Sequence, residues 1–142
     1  MPGYRFICPI QVRYGDLDPQ GHVNNAGILT YIEQARITYL QKLELWNGTS
    51  FLDLGLIVAD VHVSYLAPIY LNQNVQAGMR VSRIGNKSLI FEYALEDGAT
   101  HTPLAKGEAL MVAYDYHQKT SIGVPEDWRE KIARFEGIVA HS

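Results

Sequence analysis

Asp16, Asp18, His22, Asn24 and Asn25 place two carboxylates, an imidazole and two amides inside one short stretch of this chain. The run Val12-Arg13-Tyr14-Gly15-Asp16-Leu17-Asp18-Pro19-Gln20-Gly21-His22-Val23-Asn24-Asn25 is dense in turn formers and reads as a loop. A helical pattern begins directly after it. The start of a helix offers unpaired N–H groups and a partial positive charge. Such a mouth suits an oxygen that gains negative charge during acyl transfer. It also keeps a nearby carboxylate ionised, as a nucleophile or general base must be. Spacing alone does not say which of the two acids acts. The same residue types also serve as turn residues and helix caps, and that plainer role stands beside the chemical one.

Other chemistries fit poorly. A calcium loop opening at Asp16 needs an acid at its twelfth position, which is Gly27. Zinc wants more ligands than His22 and two loop acids supply, so no metal is expected. Gly85-Asn86-Lys87-Ser88 resembles the end of a phosphate-binding loop, but its Gly and Lys are not adjacent and a strand follows. No Gly-x-Ser-x-Gly elbow occurs. Cys8 is the single cysteine, which rules out an intrachain disulfide and suits a small buried side chain.

The elements that must position the loop are readable from period. Residues 5–14 alternate loosely as a first strand, with Pro9 marking an edge or bend. From about Asn25, residues Ile28, Leu29, Ile32, Ala35, Arg36, Tyr39, Leu40 and Leu43 recur at three and four, one buried helical face. Asn24 or Asn25 is the natural N-cap, and the pattern fades after about five turns at Trp46-Asn47-Gly48. Glu33 and Arg36, three apart, are placed to pair. Strands are expected over 56–66, 75–84, 88–96 and 104–116, with a hairpin turn at Gly85-Asn86. Val75, Ala77, Met79 and Val81 share one face of their strand. Pro125 opens a short last helix with Trp128, Ile132 and Phe135 on one side. Strand, long helix, four strands and short helix together imply an α+β layer in which the sheet wraps the helix.

The chain has 142 residues, 47% hydrophobic and 19% charged, the profile of one ordinary globular domain spanning 1–142. A net charge of −3 argues against a general nucleic-acid binder. No apolar run is long enough to span a bilayer, and the first residues lack a secretory pattern, so a cytoplasmic protein without membrane association is expected. Within this acidic chain Arg80, Arg83 and Lys87 gather around one hairpin.

The loop motif Arg13-Tyr14-x-Asp16-x-Asp18-x-x-Gly21-His22-Val23-Asn24-Asn25, followed by Tyr31-x-Glu33-x-Ala35-Arg36, resembles the leading motif of the 4-hydroxybenzoyl-CoA thioesterase family. Its His-Val-Asn-Asn piece is most similar to the long-chain acyl-CoA and acyl-carrier-protein branch. Later segments match in order: Val63-x-Tyr65-x-x-Pro68-Ile69, Arg83-Ile84-Gly85-Asn86-Lys87-Ser88, Ala105-x-Gly107 and Val112-x-x-Asp115. The resemblance implies a hotdog fold, five antiparallel strands around one long central helix, with dimers joined sheet edge to sheet edge. It implies hydrolysis of an acyl-CoA, with an acyl-carrier protein as the other candidate carrier, and no cofactor. Asp18 becomes the catalytic carboxylate, the helix-start amide falls on Asn25, and His22 orients substrate or water. Coenzyme A contacts fall near the Lys87 and Arg83 hairpin, where cations suit phosphates. Tyr65 shapes the pocket wall. Ile28 stands where relatives carry an aromatic residue, and Gly27 where they carry a large one, which implies extra room beside the acyl group. A homodimer or homotetramer is expected. Two alternatives remain beside hydrolysis: a hotdog hydroxyacyl dehydratase using His22 and Glu33, and a non-catalytic acyl-CoA or lipid-binding module.

Overall fold

In the computed structural model, which describes residues 1–139, one long helix lies in the hollow of an antiparallel sheet. The strands are β1 (Phe6–Ile10), β2 (Leu56–Tyr65), β3 (Val75–Ile84), β4 (Ser88–Asp97), β5 (Pro103–Asp115) and β6 (Thr120–Ser121). The helices are α1 (Asn25–Lys42) and α2 (Glu126–Glu136). Sheet order is β1-β3-β4-β5-β2, with β6 paired only to the end of β5. This is the hotdog arrangement. Six strands form rather than five, because β5 turns back after Asp115 and Thr120–Ser121 pairs with Tyr114 and Asp115.

Alternation decides which face is buried. In β4, Leu89, Phe91, Tyr93 and Leu95 point inward in strict succession, and Val75, Ala77, Met79 and Val81 do the same in β3. Against this floor α1 lays Ile28, Tyr31, Ile32, Ala35, Arg36, Tyr39 and Leu40. Tyr39 is the hub: Phe6, Phe91 and Phe135 each meet its ring edge-on, at centroid distances of 5.5, 5.7 and 5.9 Å. The face Trp128–Ile132 of α2 closes the core, with Trp128 against Gly55.

Two element ends differ from the expectation. The first strand stops at Ile10, and Tyr14–Asp16 forms a tight 3-10 turn instead of strand. The long helix ends at Lys42, earlier than Trp46-Asn47-Gly48, because Glu44 adopts a left-handed φ of 59°. The apolar spacing ran on past the true end because Leu43, Leu45 and Trp46 are buried without being helical.

Strand β2 forms the end of the sheet, and among the described residues its ten-residue outer edge is unpaired. Ile57, Val58, Val61 and Tyr65 along it are each more than 40% exposed. A long apolar edge of this kind is a template for pairing with another strand. Inside the sheet, Gly107 of β5 lets β2 approach: a Cβ there would stand 1.9 Å from the His62 carbonyl oxygen. No helix of the described residues is long and apolar enough to cross a membrane.

Candidate active site

The loop between β1 and α1 folds back on itself. The Asp18 N–H donates to the His22 carbonyl at 2.9 Å, and the Gly21 N–H to the Asp18 carbonyl at 2.9 Å. Gly21 takes a φ of 84°, the conformation the tight turn requires. Leu17 bridges to Val23, while the Val23 N–H donates to the Ile69 carbonyl at 2.8 Å and His22 bridges to Tyr70. The turn is thereby stitched to the segment that follows β2.

The two aspartates have different environments. Asp16 Oδ2 accepts from the Tyr31 hydroxyl at 2.7 Å and from the Arg13 N–H at 2.9 Å. The Tyr31 hydrogen bond first, then the Arg13 N–H, holds the Asp16 carboxyl below the usual carboxylate range. The Tyr31 hydroxyl is pushed up by burial and by its hydrogen bond to Asp16. Asp16 is therefore a brace tying the loop to the helix. Asp18 is freer: Oδ1 accepts from the Gln20 N–H at 2.9 Å, and Oδ2 lies 3.6 Å from His22 Nδ1. That second separation is too long for a hydrogen bond, so Oδ2 has no strong partner among the described residues. The Asp18 side chain is 21% exposed and His22 32%, within reach of a ligand.

Asn24 is the N-cap. Its Oδ1 accepts from the Gly27 N–H at 2.8 Å and its carbonyl from the Ile28 N–H at 3.1 Å. The N–H groups of Asn25 and Ala26 are left without a partner among the described residues. Asn25 is the first helical residue and is exposed. The helix mouth thus presents two free donors at the end of the loop that carries Asp18. Gly27 does not open extra room as expected: a Cβ there would meet Val23 Cγ1 at 2.8 Å, so the glycine permits close packing of the loop.

The remaining residues divide into two groups. Tyr65, 44% exposed, ends β2 on the side of the Asp18 loop, while Ile28 is buried one turn into α1. Arg83 and Lys87 are exposed at the β3–β4 hairpin, at the opposite end of the sheet. Strand length separates the two groups by roughly 30 Å within one chain. Arg80 leaves the cationic cluster: its guanidinium grips Glu92, with Nε at 2.7 Å, and lies 4.9 Å over the Tyr4 ring. Glu33 and Arg36 form no close salt bridge among the described residues, although the Glu33 charge still favours the Arg36 guanidinium. Glu33 lies roughly 12 Å along the helix from Asn25, away from His22. Both instead line a cavity of about 320 Å³ with Ile37, Leu40, Ile57 and Val58, open along the β2 edge. Among the described residues no group of three or more His, Cys, Asp or Glu is placed to hold a metal ion.

Sequence reasoning gave Tyr31 no role of its own and missed Tyr70. Tyr31 sits three residues after Ile28 on the buried face, a spacing that could have revealed it. Tyr70, which meets the His22 ring edge-on at 6.4 Å, follows a strand end and carries no such signal.

Comparison with known proteins agrees with this fold. The thioesterase-like superfamily model matches residues 12–132. A thioesterase from Thermus thermophilus, solved with coenzyme A and Zn, superposes with a TM-score of 0.85 at 35% identity, over 98% of this chain and 99% of that one. The long-chain acyl-CoA thioesterase FadM of Escherichia coli K12 is 23% identical over 87% of this chain and 93% of its own. The acyl-CoA thioester hydrolase YbgC of Escherichia coli O6:H1 is 26% identical over 78% of this chain and 82% of its own. By its matched length, its fold and the order of its loop motif, this chain belongs to the thioesterase-like superfamily.

Proposed function

We propose that this protein hydrolyses an acyl-CoA thioester to the free acid and coenzyme A, with Asp18 as the catalytic carboxylate. The observation that carries the reading is the division of labour in the loop. Asp16 is held by Tyr31 and Arg13, whereas Asp18 keeps Oδ2 accessible in the loop that ends at the free N–H groups of Asn25 and Ala26. The thioester carbonyl accepts from the Asn25 N–H, which stabilises the oxyanion as it forms. Asp18 then either attacks the carbonyl carbon, expelling the thiolate and leaving an anhydride that water hydrolyses to the free acid and the restored carboxylate, or takes a proton from a water that attacks the carbonyl carbon and expels the thiolate. His22, near Asp18 and packed on Tyr70, orients the water or the acyl group. A thioester is reactive enough that a carboxylate and an aligned donor suffice.

Two copies complete the site. Pairing the free β2 edges about a two-fold axis runs them antiparallel, and this sets the Asp18 end of each protomer beside the hairpin end of the other. Lys87 and Arg83 of one chain then hold the coenzyme A phosphates of a thioester whose carbonyl lies at Asp18 of the partner subunit. The cavity along the β2 edge, beside that junction, offers room for the acyl group, with Tyr65 and Ile28 at the Asp18 end of the facing chain. On this reading the protein is a homodimer, or a tetramer of two such dimers, working in the cytoplasm on coenzyme A or carrier-protein thioesters.

The test is thiol release across acyl-CoAs of increasing chain length and an aromatic acyl-CoA, run beside Asp18→Asn. Turnover by the native protein with at least a roughly hundredfold loss in the variant is expected, the usual effect of removing a catalytic acid or base. Equal turnover by both would remove Asp18 from the chemistry. Tight acyl-CoA binding without any turnover would identify a binding module instead.

A further inference from the structure

Arg129, on α2, is 4% exposed and meets carbonyls rather than a carboxylate among the described residues. Its Nε donates to the Val124 carbonyl at 3.2 Å, and its Nη2 donates at 2.8 Å to each of the Gly85 and Asn86 carbonyls. Nη1 is buried with no partner among the described residues. Burying a guanidinium against carbonyls alone is costly, so its position asks for a reason beyond packing. Gly85 and Asn86 form the tip of the β3–β4 hairpin. All peptide bonds of the described residues are trans, and in a trans peptide the N–H points opposite to the C=O. With both carbonyls turned in upon Arg129, the N–H groups of Asn86 and Lys87 are turned out. Neither donates to a described acceptor, and both residues are exposed. The Asn86 carbonyl is fixed a second time by the Val124 N–H at 3.0 Å.

Two successive outward N–H groups at a turn, beside a lysine, offer donors and positive charge to an anion. A cation behind the carbonyls strengthens those donors, because it polarises both peptides in the same sense. We propose that Arg129 is a positioning residue for phosphate at this hairpin: it holds two peptides so that the Asn86 and Lys87 N–H groups, with the Lys87 ammonium, receive a phosphate of coenzyme A. The proposal rests on the acyl-CoA reading above.

The experiment compares ligands with and without phosphate. Coenzyme A and pantetheine are titrated by calorimetry into the native protein, Arg129→Met and Arg129→Lys. Arg129→Met weakens coenzyme A binding about tenfold, the loss of charge-assisted hydrogen bonds, and leaves pantetheine within about twofold. Arg129→Lys recovers part of that loss. In turnover, the KM for acyl-CoA rises about tenfold while kcat and the rate on acyl-pantetheine hold. A purely structural arginine would weaken both ligands together, and that result overturns the proposal, as does unaltered coenzyme A binding. If Arg129→Met does not fold, amide spectra of the native protein decide: the Asn86 and Lys87 signals shift with coenzyme A and not with pantetheine, and unmoved signals overturn the idea. A native protein that binds coenzyme A as described but hydrolyses no thioester refutes hydrolysis and leaves this site standing. One that hydrolyses acyl-CoA with no dependence on Arg129 does the reverse.

Discussion

Asp16 and Asp18 are two residues apart, and their surroundings imply opposite consequences on mutation. Replacing Asp16 by Ala removes the acceptor of the Tyr31 hydroxyl and of the Arg13 N–H. Water can replace the carboxylate at Arg13, which is exposed, but not readily at Tyr31, which is 3% exposed. An unsatisfied buried hydroxyl costs about 1–3 kcal/mol, and a lost hydrogen bond to a charged acceptor about 1.5–3 kcal/mol. Because these overlap and Asp16 is partly solvated, about 2–3 kcal/mol is the expected loss. For a domain of this size that lowers Tm by about 8 °C. Asp18→Asn keeps the oxygen that accepts from Gln20 and touches no buried donor, so its stability stays within about 0.5 kcal/mol of native. Its turnover falls at least about a hundredfold, while Asp16→Ala retains turnover at a temperature where it is folded. Thermal melts and thiol-release rates on the two variants are the measurements. Asp16→Ala melting like the native protein, or Asp18→Asn proving destabilised and still active, would refute this division of roles.

The depressed Asp16 pKa gives a pH test with a definite sign. A carboxyl lowered in the folded state adds stability above the unfolded pKa, near 4, and loses it as pH falls through the lower folded value. Native protein therefore loses stability on acidification across that window more steeply than Asp16→Asn, as chemical denaturation at several pH values would read. Gly107→Ala drives a methyl to 1.9 Å from the His62 carbonyl, so β2 must part from β5; a loss of about 3 kcal/mol or more, or no soluble protein, is expected in denaturant titrations. Val61→Lys places a charge on the free β2 edge and should convert the proposed dimer to monomer, with turnover lost in parallel. Sedimentation that shows an unchanged dimer would move the interface elsewhere.

Most of this fold was legible because its inner faces obey simple periods. Strand β4 alternates along its whole length, β3 breaks step at the buried Gly78 and again at the register shift between Val81 and Arg83 that brings Ile84 inward, and α1 repeats at three and four against them. The errors fell where burial and secondary structure part company. Leu43, Leu45 and Trp46 are buried in a turn, so apolar spacing alone extended the helix beyond Lys42. In the loop, residue types marked a site but gave Asp16 and Asp18 equal claims. What separates them is Tyr31, fifteen positions beyond Asp16, whose hydroxyl reaches one acid and not the other. That contact depends on how α1 sits against the loop, where Gly27 packs so close to Val23 that a Cβ would stand 2.8 Å from its Cγ1.

The same topology places the Asp18 loop and the Arg83–Lys87 hairpin, the two parts of the proposed site, at opposite ends of the sheet. Asp18 and Lys87 each lie at the end of an element, and an antiparallel sheet alternates the ends of successive elements. β2 carries the chain from the hairpin end to the Asp18 end, and β3 returns it, so Arg83 and Lys87 emerge where β2 began. No rearrangement of side chains joins points separated by a full strand. A two-fold axis across the β2 edge does, because it superimposes opposite ends of identical strands. The exposed β2 edge and the separation of the Asp18 loop from the hairpin are thus two consequences of one topology, and on the proposed assembly the second copy that covers the first also closes the second.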